Sequence, residues 1–411
     1  MMGGSSKKPN IVVVLTSQWR ASACGYAGDP NAVTPHLDLL AKDGINFCEA
    51  VTPHPFGVFA RAAFLTGRFS ESVGIYDYYD TLPADSVTLA HRFAEAGYQT
   101  AFFGKWQLYE RDPEAPVVGE EHAKVVVPKE RQGGFDFWEG FESGFLLNDC
   151  FFHGSRLPEP IRIEGYQAEI IANRFLSYRS ECADPNRPLF SVLSFDSPHP
   201  PYASPANGVD PKEPASIHLL DNVPKDSIIE ETAKRELSGY YAHIEAMDRV
   251  VGKLVEELKH SGEWEDTLFV FSSVHGDMHG SHGHFRKGWP YEESIRVPLL
   301  MNWVNGLPRY GSDMLISLLD LGPTLLGLVD VGGDPVAFDG LNLSSEILEK
   351  RRGPDSQRIS MPSVPPFAKQ CPYPWGGKRS RAGIRGQKMS EAGDSFFLET
   401  LSPTGYRAPL K

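Results

Sequence analysis

Five stretches of the chain are almost wholly apolar and β-rich: NIVVVLT from Asn10, YQTAFFG from Tyr98, PLFSVLSF from Pro188, TLFVFSS from Thr267 and VPLLMNW from Val297. Runs without polar alternation predict strands covered on both faces, as in a parallel sheet with helices above and below. Between the fourth run and the one before it, Leu237, Tyr241, Ile244, Met247, Val251, Leu254 and Leu258 recur three and four positions apart, which predicts one long amphipathic helix. Shorter helices are expected near 34–43, 60–67, 86–96, 166–180 and 313–328. Strands alternating with helices define an α/β fold with a mainly parallel central sheet flanked by helices.

The pattern changes near residue 350, where RRGPDSQRIS and PPFAKQCPYPWGGKRSR bring Pro, Gly and basic residues with only weak strand signals after them. A main domain over 8–350 and a small C-terminal subdomain over 351–411 are therefore expected. Some sixty residues are too few for a large core of their own, so the second unit should be an antiparallel appendage packed on the first. A chain of 411 residues that is 41% hydrophobic and 23% charged has the composition of a folded protein and excludes disorder as its main state.

Forty Lys and Arg against 53 Asp and Glu give a net charge of −13, which opposes broad contact with nucleic acid or an anionic membrane. A basic pocket inside an acidic surface remains compatible with that balance. The five cysteines are widely spaced, odd in number and free of CxxC pairs, so neither a disulfide framework nor a structural zinc site is expected. The start MMGGSSKKPN carries no apolar segment of signal-peptide or membrane-spanning length, and a cytoplasmic location is the default expectation.

In an open α/β sheet, ligands gather beyond the carboxyl ends of the strands, so the residues after each apolar run carry the chemistry. The first run ends in TSQWR, the second in GKWQL, the third in SPHPPY and the fourth in SVHGDMHGSHGHFRKG. With TPHLDLLAKDGINF, RAAFLTGR, YYAHIEAMDRVVGKL, KGWPYEESIRVPLL and DLGPTLLGL, these strings resemble, in order, the sulfatase family of the alkaline phosphatase superfamily, especially its choline-sulfatase-like and phosphonate monoester hydrolase-like branch. The resemblance spans most of the chain and implies the alkaline phosphatase/sulfatase-like fold.

The same alignment implies a dismantled reactive centre. Sulfatases use a formylglycine made from a Cys or Ser that stands two residues before Pro or Ala and four before Arg. Aligned on Arg61, that position holds Gly57 and the Pro position holds Phe59, and glycine has no side chain with which to attack. The family's divalent cation is held at the ends of the first and fourth strands; here those positions are Ser17 and Gln18, and Val274 and His275. A hard cation wants about six to eight oxygen ligands, several of them carboxylates. A calcium or magnesium site is therefore expected to be lost, and no other cofactor is expected. Asp277 persists in HGDM, at a position that is usually structural in the family. Gln107 replaces a histidine in GKWQL and cannot transfer a proton.

Arg61, Lys105, His199 and Lys287 match family positions that grip the sulfate or protonate the leaving group. Without the cation and its carboxylates they leave a positively biased cleft, expected to bind an anionic small molecule through Arg61, Lys105 and Lys287, with His199 donating a hydrogen bond. An ordered water network or a new acidic neighbour would satisfy those charges equally well. Of the crowded histidines, His282 belongs to a GSHG pattern common in the family, leaving His279 and His284 as surplus and as possible relocated metal ligands. Tyr76, Tyr78 and Tyr79 offer either rim packing or a cage for a quaternary ammonium group. Three functions follow: an anion binder that either stops at binding or retains metal-independent acid/base chemistry, a sulfuric or phosphoric ester hydrolase whose water is activated by His275 or His199, and a non-catalytic interaction partner.

Overall fold

The computed structural model describes residues 8–332, 338–367 and 369–389, and the backbone of 395–396. Ten strands form one sheet: β1 (Asn10–Thr16), β2 (Ile45–Val51), β3 (Gln99–Lys105), β4 (Phe137–Phe141), β5 (Phe151–Gly154), β6 (Leu157–Arg162), β7 (Leu189–Ser194), β8 (Thr267–Ser273), β9 (Leu299–Asn302) and β10 (Tyr310–Ser317). Their spatial order is β10-β2-β9-β8-β1-β7-β3-β4-β5-β6. Strand β1 runs parallel to both neighbours, β7 and β8, and β3 runs parallel to β7 and β4. The sheet centre is thus parallel and its β5–β6 flank antiparallel.

The uninterrupted apolar runs have the predicted cause. Ile11, Val13 and Leu15 enter the core on one face, while Val12 and Val14 enter the core on the other. Six helices of seven residues or more pack around the sheet: α1 (Pro35–Asp43), α2 (Gly57–Thr66), α3 (Leu89–Glu95), α4 (Gln167–Glu181), α5 (Ile228–His260) and α6 (Leu318–Leu328). All seven apolar positions of the predicted long helix are buried along α5. Two expectations need correction. The run from Val297 is β9, which is antiparallel to both β2 and β8. The predicted 313–328 helix begins only at Leu318, because Tyr310–Ser317 is strand β10, parallel to β2.

A second, antiparallel sheet follows: β11 (Ser356–Met361), β12 (Trp375–Ser380), β13 (Gly383–Lys388) and β14 (Ser395–Phe396). Ile359, Met361, Cys371, Trp375 and Ile384 belong to the same apolar core as one face of the large sheet. The small sheet also reaches the loops at the sheet's carboxyl edge. Trp375 Nε1 donates to the Gly288 carbonyl at 2.7 Å, and Gln370 Oε1 accepts from the Lys287 N–H at 3.1 Å.

Candidate functional site

Beyond the carboxyl ends of β1, β3, β7 and β8, loops and the start of α2 enclose a cavity of about 230 Å³. Ser17, Gly57, Arg61, Lys105, Gln107, His199, His275 and Lys287 line it, eight of the ten residues picked from the sequence. Gln18 lies one hydrogen bond behind the wall. Val274 is wholly buried in the apolar core, and its N–H donates to the Thr16 carbonyl at 2.9 Å.

Gly57 opens α2, which puts Arg61 one turn further along the helix. The Arg61 guanidinium donates to Gln107 Oε1 at 2.9 Å, Ser17 Oγ at 2.8 Å and Ser194 Oγ at 3.4 Å. Burial lowers it to about 10, against the opposing fields of Asp196 and Glu142, so it keeps its charge at neutral pH. A Cβ placed on Gly57 would lie 2.6 Å from Gln107 Oε1 and 2.9 Å from Arg61 Nη1. The space beside the vanished nucleophile is thus already filled by the Arg61–Gln107 pair.

Lys105 ends β3, and Gly104 before it has φ 99°; a Cβ there would meet the Ser194 carbonyl at 2.1 Å. This close approach of β3 to β7 brings Lys105 Nζ to 2.5 Å from Asp196 Oδ1. Asp196 is anchored in turn by Gln167, whose Nε2 donates to Oδ2 at 3.0 Å and whose Oε1 accepts from the Asp196 N–H at 3.1 Å. Burial brings the Lys105 ammonium down to about 8 although Asp196 pulls the other way. The expectation that all three cations lack a carboxylate therefore fails for Lys105. Asp196 was open to discovery, standing directly before SPHPPY at the end of an apolar run.

Lys287 Nζ lies 2.6 Å from Gln18 Oε1 and 2.7 Å from His199 Nε2. Burial, reinforced by Lys105, pushes its ammonium well below the usual lysine range. His199 Nδ1 pairs with the Pro200 carbonyl at 2.8 Å, which fixes the proton on Nδ1 and leaves Nε2 to accept from Lys287. Neutral His199 therefore has no N–H left for a ligand, contrary to its expected donor role. Burial and then Lys287 hold both His199 and His275 well below the ordinary histidine range. Phe145, a residue that no sequence pattern picked out, stacks on the His199 ring at 4.4 Å and lies 3.9 Å from Lys105 Nζ.

The donor set does not fit a divalent cation. Gln18 turns its oxygen to Lys287 and its nitrogen to Asp277 and Tyr202, Ser17 Oγ is engaged by Arg61, and Val274 has no side-chain donor. Asp277 is a structural anchor: its Oδ1 accepts the N–H groups of His279 and Arg286, each at 3.0 Å, and its Oδ2 accepts the Tyr202 hydroxyl at 2.6 Å. Burial alone would raise this carboxyl, but His279, Arg286 and these donors hold it well below the usual carboxylate range. The surplus histidines are dispersed. His279 packs between Tyr202 and Tyr240, while His284 stacks on Trp289 at 3.8 Å. Among the described residues, no group of three or more His, Cys, Asp or Glu side chains is placed to hold a metal. The tyrosines form no open cage, since Tyr76 is exposed, Tyr78 is buried under Arg111, and Tyr79 packs edge-on to Tyr78.

A parallel α/β sheet with these strings at its carboxyl edge defines a protein of the alkaline phosphatase superfamily whose cavity has kept its basic wall. Residues 9–331 match the Sulfatase family model, and the chain belongs to the sulfatase family. It is 36% identical over 406 residues to the ulvan-active sulfatase of Formosa agariphila, covering 96% of this chain and 76% of that protein. The arylsulfatase of Clostridium perfringens is 30% identical over 387 residues, covering 84% and 79%. A sulfatase structure from Bacteroides fragilis superposes with a TM-score of 0.83 at 24% identity, covering 96% of this chain and 89% of that one, a likeness of fold. Among the described residues no helix is long and apolar enough to cross a membrane.

Proposed function

We propose that this protein binds a small anion, a sulfate, phosphate or carboxylate group, in a sulfatase cavity that no longer hydrolyses esters by the formylglycine route. One observation carries the reading: four basic side chains, Arg61, Lys105, Arg286 and Lys287, line the cavity and no carboxylate does. Asp196 answers Lys105 and Glu236 answers Arg286, but Arg61 and Lys287 have only neutral hydrogen-bond partners. The anion's place is therefore between Arg61 and Lys287, with Lys105 adding its field from behind Asp196. Hydrolysis by a water activated at His199 or His275 is the weaker reading, because both imidazoles are poor bases in this setting. Five unpaired cysteines support a compartment where thiols stay reduced, such as the cytoplasm.

Calorimetric titration with inorganic sulfate tests the proposal. The affinity should fall as ionic strength rises, and Arg61→Ala and Lys287→Ala should each weaken it by about 1 to 3 kcal/mol, the range for a charge-assisted hydrogen bond. Elemental analysis should find no stoichiometric calcium or magnesium, chelator should leave the melting temperature unchanged, and aryl sulfate turnover should stay at background. Salt-independent binding, or an equivalent of either metal held at Gln18 and His275, would overturn the proposal.

A further inference from the structure

The basic floor is only half of the cavity. Phe56, Phe367, Val117, Val118, Phe145 and Pro201 make up most of the remaining lining. Phe367 is held in place by its neighbours: its ring stacks on Phe56 at 6.0 Å and meets Tyr78 edge-on at 4.9 Å. Val118 is 59% exposed and forms a β-bridge with Gly144, beside the Phe145 ring that lies on His199. Apolar rings and valines therefore begin where the anion site ends.

The polar lining is poor in acceptors. Ser17 Oγ and Gln107 Oε1 accept from Arg61, and Gln370 Oε1 accepts from the Lys287 N–H. A sugar brings several hydroxyls that each need an acceptor and a donor once water is removed, and a buried hydroxyl without partners opposes binding. A flat apolar group asks for nothing but contact, which the rings supply. The cavity's volume of about 230 Å³ lies below the roughly 300–1,000 Å³ typical of sites for drug-sized ligands. It suits a body of about one ring.

Resting on the anion-binding reading above, we propose that the ligand is amphiphilic: a sulfonate, sulfate, phosphate or carboxylate borne on a single aromatic or compact hydrocarbon body, preferred over a sugar ester of the same head group. Its charged end lies between Arg61 and Lys287, and its apolar body lies against Phe56, Phe367 and Val118. This preference separates the chain from relatives whose names point to sulfated polysaccharide.

Calorimetric titrations with sodium sulfate, benzenesulfonate and glucosamine 6-sulfate, none of which needs turnover to be scored, test the preference. Benzenesulfonate should bind about tenfold to a hundredfold tighter than sulfate, the gain expected from burying one ring, and the sugar sulfate no tighter than sulfate. Phe367→Ala and, at the exposed rim, Val118→Ser should each lower the ratio of benzenesulfonate to sulfate affinity. If sulfate binds while the sugar sulfate equals or exceeds benzenesulfonate, or if neither variant moves the ratio, the amphiphilic preference is wrong and the anion site stands. If none of the three probes binds, the anion site itself is refuted, and the preference with it.

Discussion

A Cβ on Gly57 falls 2.6 Å from Gln107 Oε1 and 2.9 Å from Arg61 Nη1, closer than side-chain atoms tolerate, so the lost nucleophile cannot simply be written back. Gly57→Cys should cost about 1 to 3 kcal/mol in urea denaturation, the range for overpacking, and leave aryl sulfate turnover at background. Adding Gln107→Ala should recover part of that stability; strictly additive effects in the double-mutant cycle would show that the two side chains do not compete for one space. The lysines make a separate prediction about pH. Burial holds Lys105 down to about 8 and Lys287 well below the usual range, and a bound anion favours their charged forms. Their pKa values therefore rise on binding, protons are taken up, and affinity falls as pH rises through about 8, by up to tenfold per unit for each lysine. Calorimetry in buffers of different ionisation enthalpy reads that uptake directly, and no uptake with a flat affinity between about pH 6.5 and 9.5 would count against both lysines. Eight of the ten candidate residues were recognisable because strings at strand ends mark a site whatever its chemistry. Asp196 and Phe145 were not: one depends on Gly104 letting β3 approach β7, the other on a loop residue held at φ 53°.

Apolar patterning reveals an element's environment better than its direction or its ends. Strands β1, β3, β7 and β8 were readable because burial on both faces leaves no polar position, and β9 was found for the same reason with its antiparallel course hidden. Strand β2, INFCEAV, exposes Cys48 and carries a half-buried Glu49, so its run looks broken. Strand β6, LPEPIR, is a mostly exposed edge with two prolines, where a missing N–H costs no ladder bond. Strand β10 misleads differently. Its MLIS passes straight into LLDLGPTLLGL, and only the capping box of Ser317 and Asp320 divides strand from helix. A continuous apolar sequence of that length reads as one helix unless the cap is noticed.

On the scale of the whole molecule, the central position of β1 has a consequence for how the protein is made. Its two partners, β7 and β8, come late in the chain, and Thr16 pairs across 257 positions with Ser273. At about 5–20 residues per second, a ribosome leaves the segment NIVVVLT without its second partner for roughly ten seconds to a minute. A seven-residue, uncharged, β-branched stretch is the kind that pairs with other chains when left open. Biosynthesis is thus the interval in which this fold is most exposed to aggregation, and a holding chaperone would act on the first strand rather than the last. Nascent chains arrested before residue 267 should be digested readily by protease, whereas those arrested well beyond residue 302 should resist; resistance at the shorter length would mean that β1 finds shelter before β8 exists.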